Sequence, residues 1–318
     1  MATLAEIRAR LRSDDKRSNF QTDNAVYAHW NIPDGSSVRA RFLPDGNEKN
    51  EYFWVERQMI KLPFNGVKGQ GETKLVTVQV PCVEMWDMQC PVLTEARLWF
   101  KDPSLEDMGR KYWKKRSYIF QGFVRESPMS EENVPDNPIR RWVINPQIFT
   151  VIKASLMDPE IEVIPTDYKR GLDFTIVKDK STGSNYANYT TSKWSRKESA
   201  LTTVELAAIE EHGLFNLEDF LPNKPNDAEL QAIQEMFEAS VDGQPYDPDK
   251  WGTMYKPYGL DTGNATKPAE SADKVDEVET KAADKVEEPG AAEEAVVETK
   301  SNAKAEDILA MIRSRQKA

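Results

Sequence analysis

Between residues 36 and 180 apolar side chains recur at every second position far more than at helical spacing, and this period most restricts the folds open to the chain. In "SSVRARFLPDG", Val38, Ala40 and Phe42 alternate with Arg39 and Arg41 before a Pro44-Asp45-Gly46 turn. The pattern returns in "EYFWVERQMIKL", "TKLVTVQV", "SYIFQGFVR", "RRWVINPQIFTVIKASL", "IEVIPT" and "LDFTIVKD", with Gly, Pro or Asn between them. A series of this kind predicts a mainly β, antiparallel barrel or sandwich. The segment "TEARLWFKDPSLEDMGRKYW" adds one short helix. From Thr202 the period becomes helical: "LTTVELAAIEEHG" ends at Gly213, and "NDAELQAIQEMFEAS" opens on an Asn226 or Asp227 cap. "LFNLEDFLPNKP" reads as an irregular connection between them.

Charge divides the chain unevenly. Residues 1–200 carry 30 Lys and Arg against 27 Asp and Glu, net +3, whereas residues 201–318 carry 12 against 26, net -14. A mildly basic, aromatic-rich body is thus joined to an acidic end. Within residues 261–318, net -5, the stretch "SADKVDEVETKAADKVEEPGAAEEAVVETK" has no aromatic residue and too little apolar surface to offset chain entropy. The terminal "AEDILAMIRSRQKA" regains apolar spacing at Ile308, Leu309 and Ile312, which marks a peptide that folds on a partner or else frays. At the other end "ATLAEIRARLR" sets Leu4, Ile7 and Leu11 beside Arg8, Arg10 and Arg12. This short basic helix needs something to dock on: its own domain, a neighbouring subunit or nucleic acid.

Catalysis finds little support. There is no glycine-rich phosphate loop and no nucleophile signature, and the two histidines, His29 and His212, stand far apart. The only cysteines, Cys82 and Cys90, fall short of the four N or S ligands of a structural zinc site, so buried free thiols are expected and no cofactor is implied. Two thiols also make no disulfide scaffold, and the start "MATLAEIRARLRS" reads as no secretory signal, so a reducing, intracellular setting is the expectation. No apolar run approaches the roughly 18 residues that span a bilayer.

Three clusters mix rings with cations. In "GRKYWKKRSYIFQGFVRE", an extended 112–120 would put Tyr112, Lys114, Arg116, Tyr118 and Phe120 on one face and Trp113, Lys115, Ser117 and Ile119 on the other. Cations on both faces up to Arg116 fit a ligand-facing ribbon better than a core strand. A second cluster interleaves Tyr186, Tyr189 and Trp194 with Lys193, Arg196 and Lys197, and a third is Arg140, Arg141 and Trp142. Rings offer stacking platforms to unpaired bases, cations hold phosphates, and a duplex hides its base faces, so the mixture points to a single strand. Two alternatives stand beside this: an RNA-binding regulator, and a structural or protein-interaction domain whose rings are all core.

Four segments resemble the single-stranded DNA-binding, helix-destabilising proteins of T-even-type tailed phages. They are "GSSVRARFLPDGNE", the "CPV" at Cys90, "KYWKKRSYIFQGFVRE" and "GLDFTIVKDKSTGSNYANYTTSKW". The resemblance covers about residues 35–221 and implies a five-stranded oligonucleotide-binding (OB-fold) barrel with an added subdomain and peripheral helices. It further implies a protein without enzymatic activity that coats single-stranded DNA cooperatively during replication, recombination and repair in the cytoplasm of the infected bacterial host, with no membrane partner. Residues 1–20 would join neighbouring copies through Leu4, Ile7, Arg8, Arg10, Leu11 and Arg12, residues 21–260 would bind DNA, and residues 261–318 would meet phage replication and recombination proteins. Lys111, Tyr112, Trp113, Lys114, Lys115, Arg116 and Tyr118 would line the cleft with Tyr186, Tyr189 and Trp194, and Arg39 and Arg41 would flank it; the ring-and-cation clusters add Lys193, Arg140 and Arg141 to the expected DNA-binding set. Cys82 and Cys90 match two ligands of that family's zinc site, but Leu93 replaces another and no histidine precedes Cys82 in the loop, so apolar packing around Met85, Trp86, Met88 and Leu93 is expected to hold the lobe.

Overall fold

The computed structural model describes residues 25–70, 74–131, 134–180 and 187–257; the N-terminal helix, Tyr186 and the acidic tail read from the sequence lie outside them. Among the described residues eight strands are present: β1 (Ser36–Phe42), β2 (Val55–Asn65), β3 (Leu75–Pro81), β4 (Lys115–Glu126), β5 (Arg140–Ile144), β6 (Leu172–Lys180), β7 (Ala187–Asn188) and β8 (Lys193–Glu198). The helices are α1 (Pro91–Trp99), α2 (Glu106–Tyr112), α3 (Pro146–Leu156), α4 (Thr203–His212), α5 (Asp227–Val241) and α6 (Pro248–Trp251). The protein is mainly β: the strands form one open antiparallel sheet in the order β3-β2-β4-β1-β6-β7, with β5 added to β4 and β8 to β6.

β4 organises the sheet. Tyr118 pairs with both Glu56 and Ile144, and Gly122 with both Phe42 and Arg140, so β5 runs along one edge of β4 while β2 and β1 share the other. The close approach to β1 requires glycine at 122, because a Cβ there would lie 2.2 Å from the Arg41 carbonyl oxygen.

Two principal cores result. The first fills the space between the far half of β2, β3 and the helices α1, α2, α5 and α6, with Ile60, Leu62, Phe64, Trp99, Tyr112 and Phe237 among its members. The second lies under β1, β4, β5, β6 and α3 and contains Phe42, Phe120, Trp142, Phe174 and Trp194. A smaller cluster, including Leu43, Phe123 and Ala208, seats α4 on the sheet.

Several expectations need correction. "RRWVINPQIFTVIKASL" is strand only as far as Ile144; Asn145 then accepts a hydrogen bond from the Ile148 N–H at 2.9 Å, Pro146 takes the first helical position, and α3 follows. "IEVIPT" forms no strand. The single helix expected before β4 is two, and the second contains Tyr112, so the face-sharing expected of an extended 112–120 fails at its start. "LFNLEDFLPNKP" includes a 3-10 turn at Leu217–Phe220. The helices α4 and α5 fall as read, each opened by a reciprocal capping box, Thr202 with Glu205 and Asn226 with Glu229.

Candidate functional site

Residues 111–118 cross from one core to the other. Tyr112, the last residue of α2, is fully buried: its hydroxyl lies 2.9 Å from Ser240 Oγ, and its ring meets Phe237 edge-on at 5.3 Å. Six residues later Tyr118 belongs to the second core and lies flat on Phe149, with ring centroids 3.5 Å apart. The intervening residues form the seam between the cores.

At the seam Trp113 is half-buried, edge-on to Phe100 at 5.1 Å, with the Arg97 guanidinium 5.9 Å from its ring centre. Lys114 Nζ donates to Glu84 at 2.8 Å, and Arg97 donates to the same carboxylate at 2.5 Å. Burial alone would raise the Glu84 carboxyl, but these two cations bring it below the ordinary carboxylate range and keep it ionised. Arg116 is exposed, with its Nε 3.5 Å from Glu56. Lys111 is exposed as well, whereas Lys115 is buried and its Nζ donates to the Arg110 carbonyl at 3.3 Å.

The register of β2 against β4 pairs Gln58 with Arg116 and Glu56 with Tyr118, which puts these four on one face of the sheet. Trp54 continues that row. Its ring stacks on Phe120 at 5.7 Å, meets Phe149 edge-on at 5.4 Å and carries Tyr52 at 4.9 Å. Tyr52 is 58 % exposed, and Trp54 and Phe149 are half-buried. Sequence reading passed over these three. The signal for Trp54 is the run Tyr52-Phe53-Trp54 at the entrance to β2, which holds more rings than one core face absorbs; Phe149 has no such signal.

The remaining predicted residues do not gather at the seam. Arg41 is fully buried and donates to the carbonyls of Pro165 at 3.0 Å and Asp167 at 2.5 Å. Arg39 pairs with Glu126 and approaches Asp173 at 3.7 Å, at the edge of an open groove of about 640 Å³ shared with Arg125, Lys197 and Glu205. Arg140 is buried against Glu131 at 2.6 Å. Arg141 lies 3.7 Å above the Phe220 ring centre, where burial lowers its guanidinium to about 10. Tyr189 and Trp194 are buried in the second core; Trp194 meets Phe174 at 4.8 Å and Phe42 at 6.0 Å, and burial pushes the Tyr189 hydroxyl up. For Tyr112, Tyr118, Tyr189 and Trp194, then, the ring-as-core reading describes what the structure shows. Lys193 is exposed at the start of β8.

No family model matches the chain, and no curated protein matches it.

Cys82 and Cys90 are free, buried members of the first core. The Cys82 thiol donates to the Cys90 sulfur, which raises Cys82 and lowers Cys90 to about 7. Leu93 is buried beside them and Trp86 and Met88 pack against the same cluster. Among the described residues no three of His, Cys, Asp and Glu come together as a metal site, and no helix is long and apolar enough to cross a membrane.

Chemically the seam offers a short row of part-exposed rings beside cations whose present partners are two carboxylates, Glu56 and Glu84. A phosphate chain competes with those carboxylates for Arg116 and Lys114, while rings such as Tyr52 and Trp54 take the planar part of a ligand.

Proposed function

We propose that this chain is a non-catalytic single-strand-binding protein, with the open sheet serving as a divergent form of the oligonucleotide-binding fold and the seam as its binding surface. The observation that carries the reading is the register that puts exposed Arg116 and its partner Glu56 on the sheet face that Trp54 continues, with Tyr52 on the Trp54 ring and Phe149 edge-on to it. Phosphates displace Glu56 and Glu84 from Arg116 and Lys114, and unpaired bases stack on the rings. Favouring unpaired over paired bases lowers the free energy of the single strand and melts marginal duplex. The resemblance read from the sequence adds the setting: phage DNA replication, recombination and repair in the host cytoplasm, with copies added side by side through residues 1–20 and other replication proteins met through residues 261–318.

The burial of Tyr112, Tyr189 and Trp194 favours a second reading, a protein-interaction or structural domain. Titration of a fluorescent oligo-dT separates the two. Stacking is worth roughly 1–3 kcal/mol per base, so Trp54→Ala and Tyr52→Ala should each weaken binding by about 5- to 150-fold. Because Tyr52 is largely exposed, its variant keeps the fold. Unchanged affinity in both variants, or no binding by the wild type, would favour the interaction domain. An oligo-rU arm of the same titration tests the RNA reading, which predicts preference for ribose.

A further inference from the structure

The pairing of β3 with β2 fixes which backbone groups of β3 face outward. Ile60 lies opposite Val80 and Leu62 opposite Val78, and in the same register the Cys82 N–H donates to the Gln58 carbonyl at 3.0 Å. Bonded pairs alternate along an antiparallel ladder, so even-numbered residues of β3 bond to β2 and odd-numbered ones point their N–H and C=O groups away from it. β2 agrees with this parity. Its odd-numbered residues turn from β3 as well: the Pro63 carbonyl accepts from Ser240 at 2.5 Å, and the Asn65 N–H donates to the Gln244 carbonyl at 3.3 Å. Leu75, Thr77 and Gln79 therefore aim their backbone groups at the outer edge of the sheet, where no strand lies among the described residues.

Natural sheets blunt such an edge with charge, proline or a covering element. Here no charged side chain occurs from Leu75 to Val83, Leu75 is 68 % exposed, and Thr77 and Gln79 are half-buried. Proline comes only at Pro81, which is buried and ends the open row. That row is nearly symmetric about Thr77. A two-fold rotation there sets Thr77 against itself, Val76 against Val78 and Leu75 against Gln79, with the valines of both copies on the face that covers the first core. A second copy thus matches the row in backbone pattern and in apolar alternation, and meets no like charge, as an isologous contact requires. We infer that the outer edge of β3 is a self-association surface, on which a second copy of this chain adds its own β3 antiparallel about a two-fold axis at Thr77. Two open sheets become one continuous sheet. The inference does not rest on nucleic-acid binding, and the surface is separate from residues 1–20.

Sedimentation equilibrium of the full chain, with charges placed on the axis, provides the test. The wild type should show a concentration-dependent dimer. Thr77→Lys and Thr77→Glu each set like charges face to face and should each raise the dissociation constant about fivefold or more, whereas an equimolar mixture of the two should return to the wild-type range. Near-UV circular dichroism checks that both variants keep the fold. Should either lose it, Thr77→Cys oxidised with diamide probes the same axis: peptide mapping should join position 77 of one copy to position 77 of another. A monomeric wild type, charged variants that associate as the wild type does, a mixture that stays apart, or crosslinks that avoid position 77 would overturn the assignment.

Discussion

Tyr112 and Trp54 exchange the roles that their sequence neighbourhoods advertise. Tyr112 is surrounded by cations yet fully buried, while Trp54 introduces an apolar strand and stays half-exposed. The reason is the end of α2: Glu106 and Asp107 in its first turn and Arg110 and Lys111 in its last match the helix dipole, so the cations before Tyr112 belong to a helix terminus. That signal is legible in the sequence, where it competes with the two-residue alternation of the strand that follows. Arg116, Lys114 and Trp113 were legible as exposed or part-exposed groups; Tyr52 and Phe149 were not, since whether a ring is covered depends on which strand crosses it. Tyr112→Phe removes a buried hydroxyl whose partner, Ser240, still donates to the Pro63 carbonyl at 2.5 Å. Its expected cost in urea unfolding is about 1 kcal/mol, with affinity for oligo-dT unchanged; a loss of affinity without loss of stability would return Tyr112 to the binding surface.

At the scale of elements, helices with polar caps and most of the alternating strands are legible because each rests on local geometry, whereas "IEVIPT" alternates without forming a strand. α3 is not legible, since its β-branched run "IFTVI" has strand propensity and only Asn145-Pro146 announces a helix. The 3-10 turn His29–Asn31 is another element that local pattern hides. It tucks His29 under Trp30, Trp142 and Tyr189, and burial, reinforced by Lys178, pushes the imidazole down to about 3. The unfolded chain binds a proton at His29 near pH 6.5 and the folded chain does not, so this element's contribution is intact above that pH and falls progressively between about 6.5 and 3. Ring resonances of His29 followed by NMR should show no protonation from pH 7 to 4, while the urea midpoint drops over the same range. A His29 midpoint near 6.5 in the folded protein would contradict its placement.

For the whole molecule, the sequence pattern is enough for a mainly β, antiparallel architecture flanked by helices. It is insufficient for the sheet's closure and for which clusters meet, because those depend on β4 sharing one edge between β2 and β1. Arg39, Arg140, Arg141 and Trp194 look like one set in sequence and are dispersed by that topology. The central claim is that the seam neutralises phosphates while its rings hold unpaired bases. The most direct measurement is the salt dependence of oligo-dT binding, beside that of a duplex of the same length. Engagement of three or more phosphates predicts a slope of log K against log salt of about -2 or steeper for the single strand, shallower in Arg116→Ala by roughly 0.7, and much weaker duplex binding. A slope near zero, or equal affinity for the duplex, would contradict it.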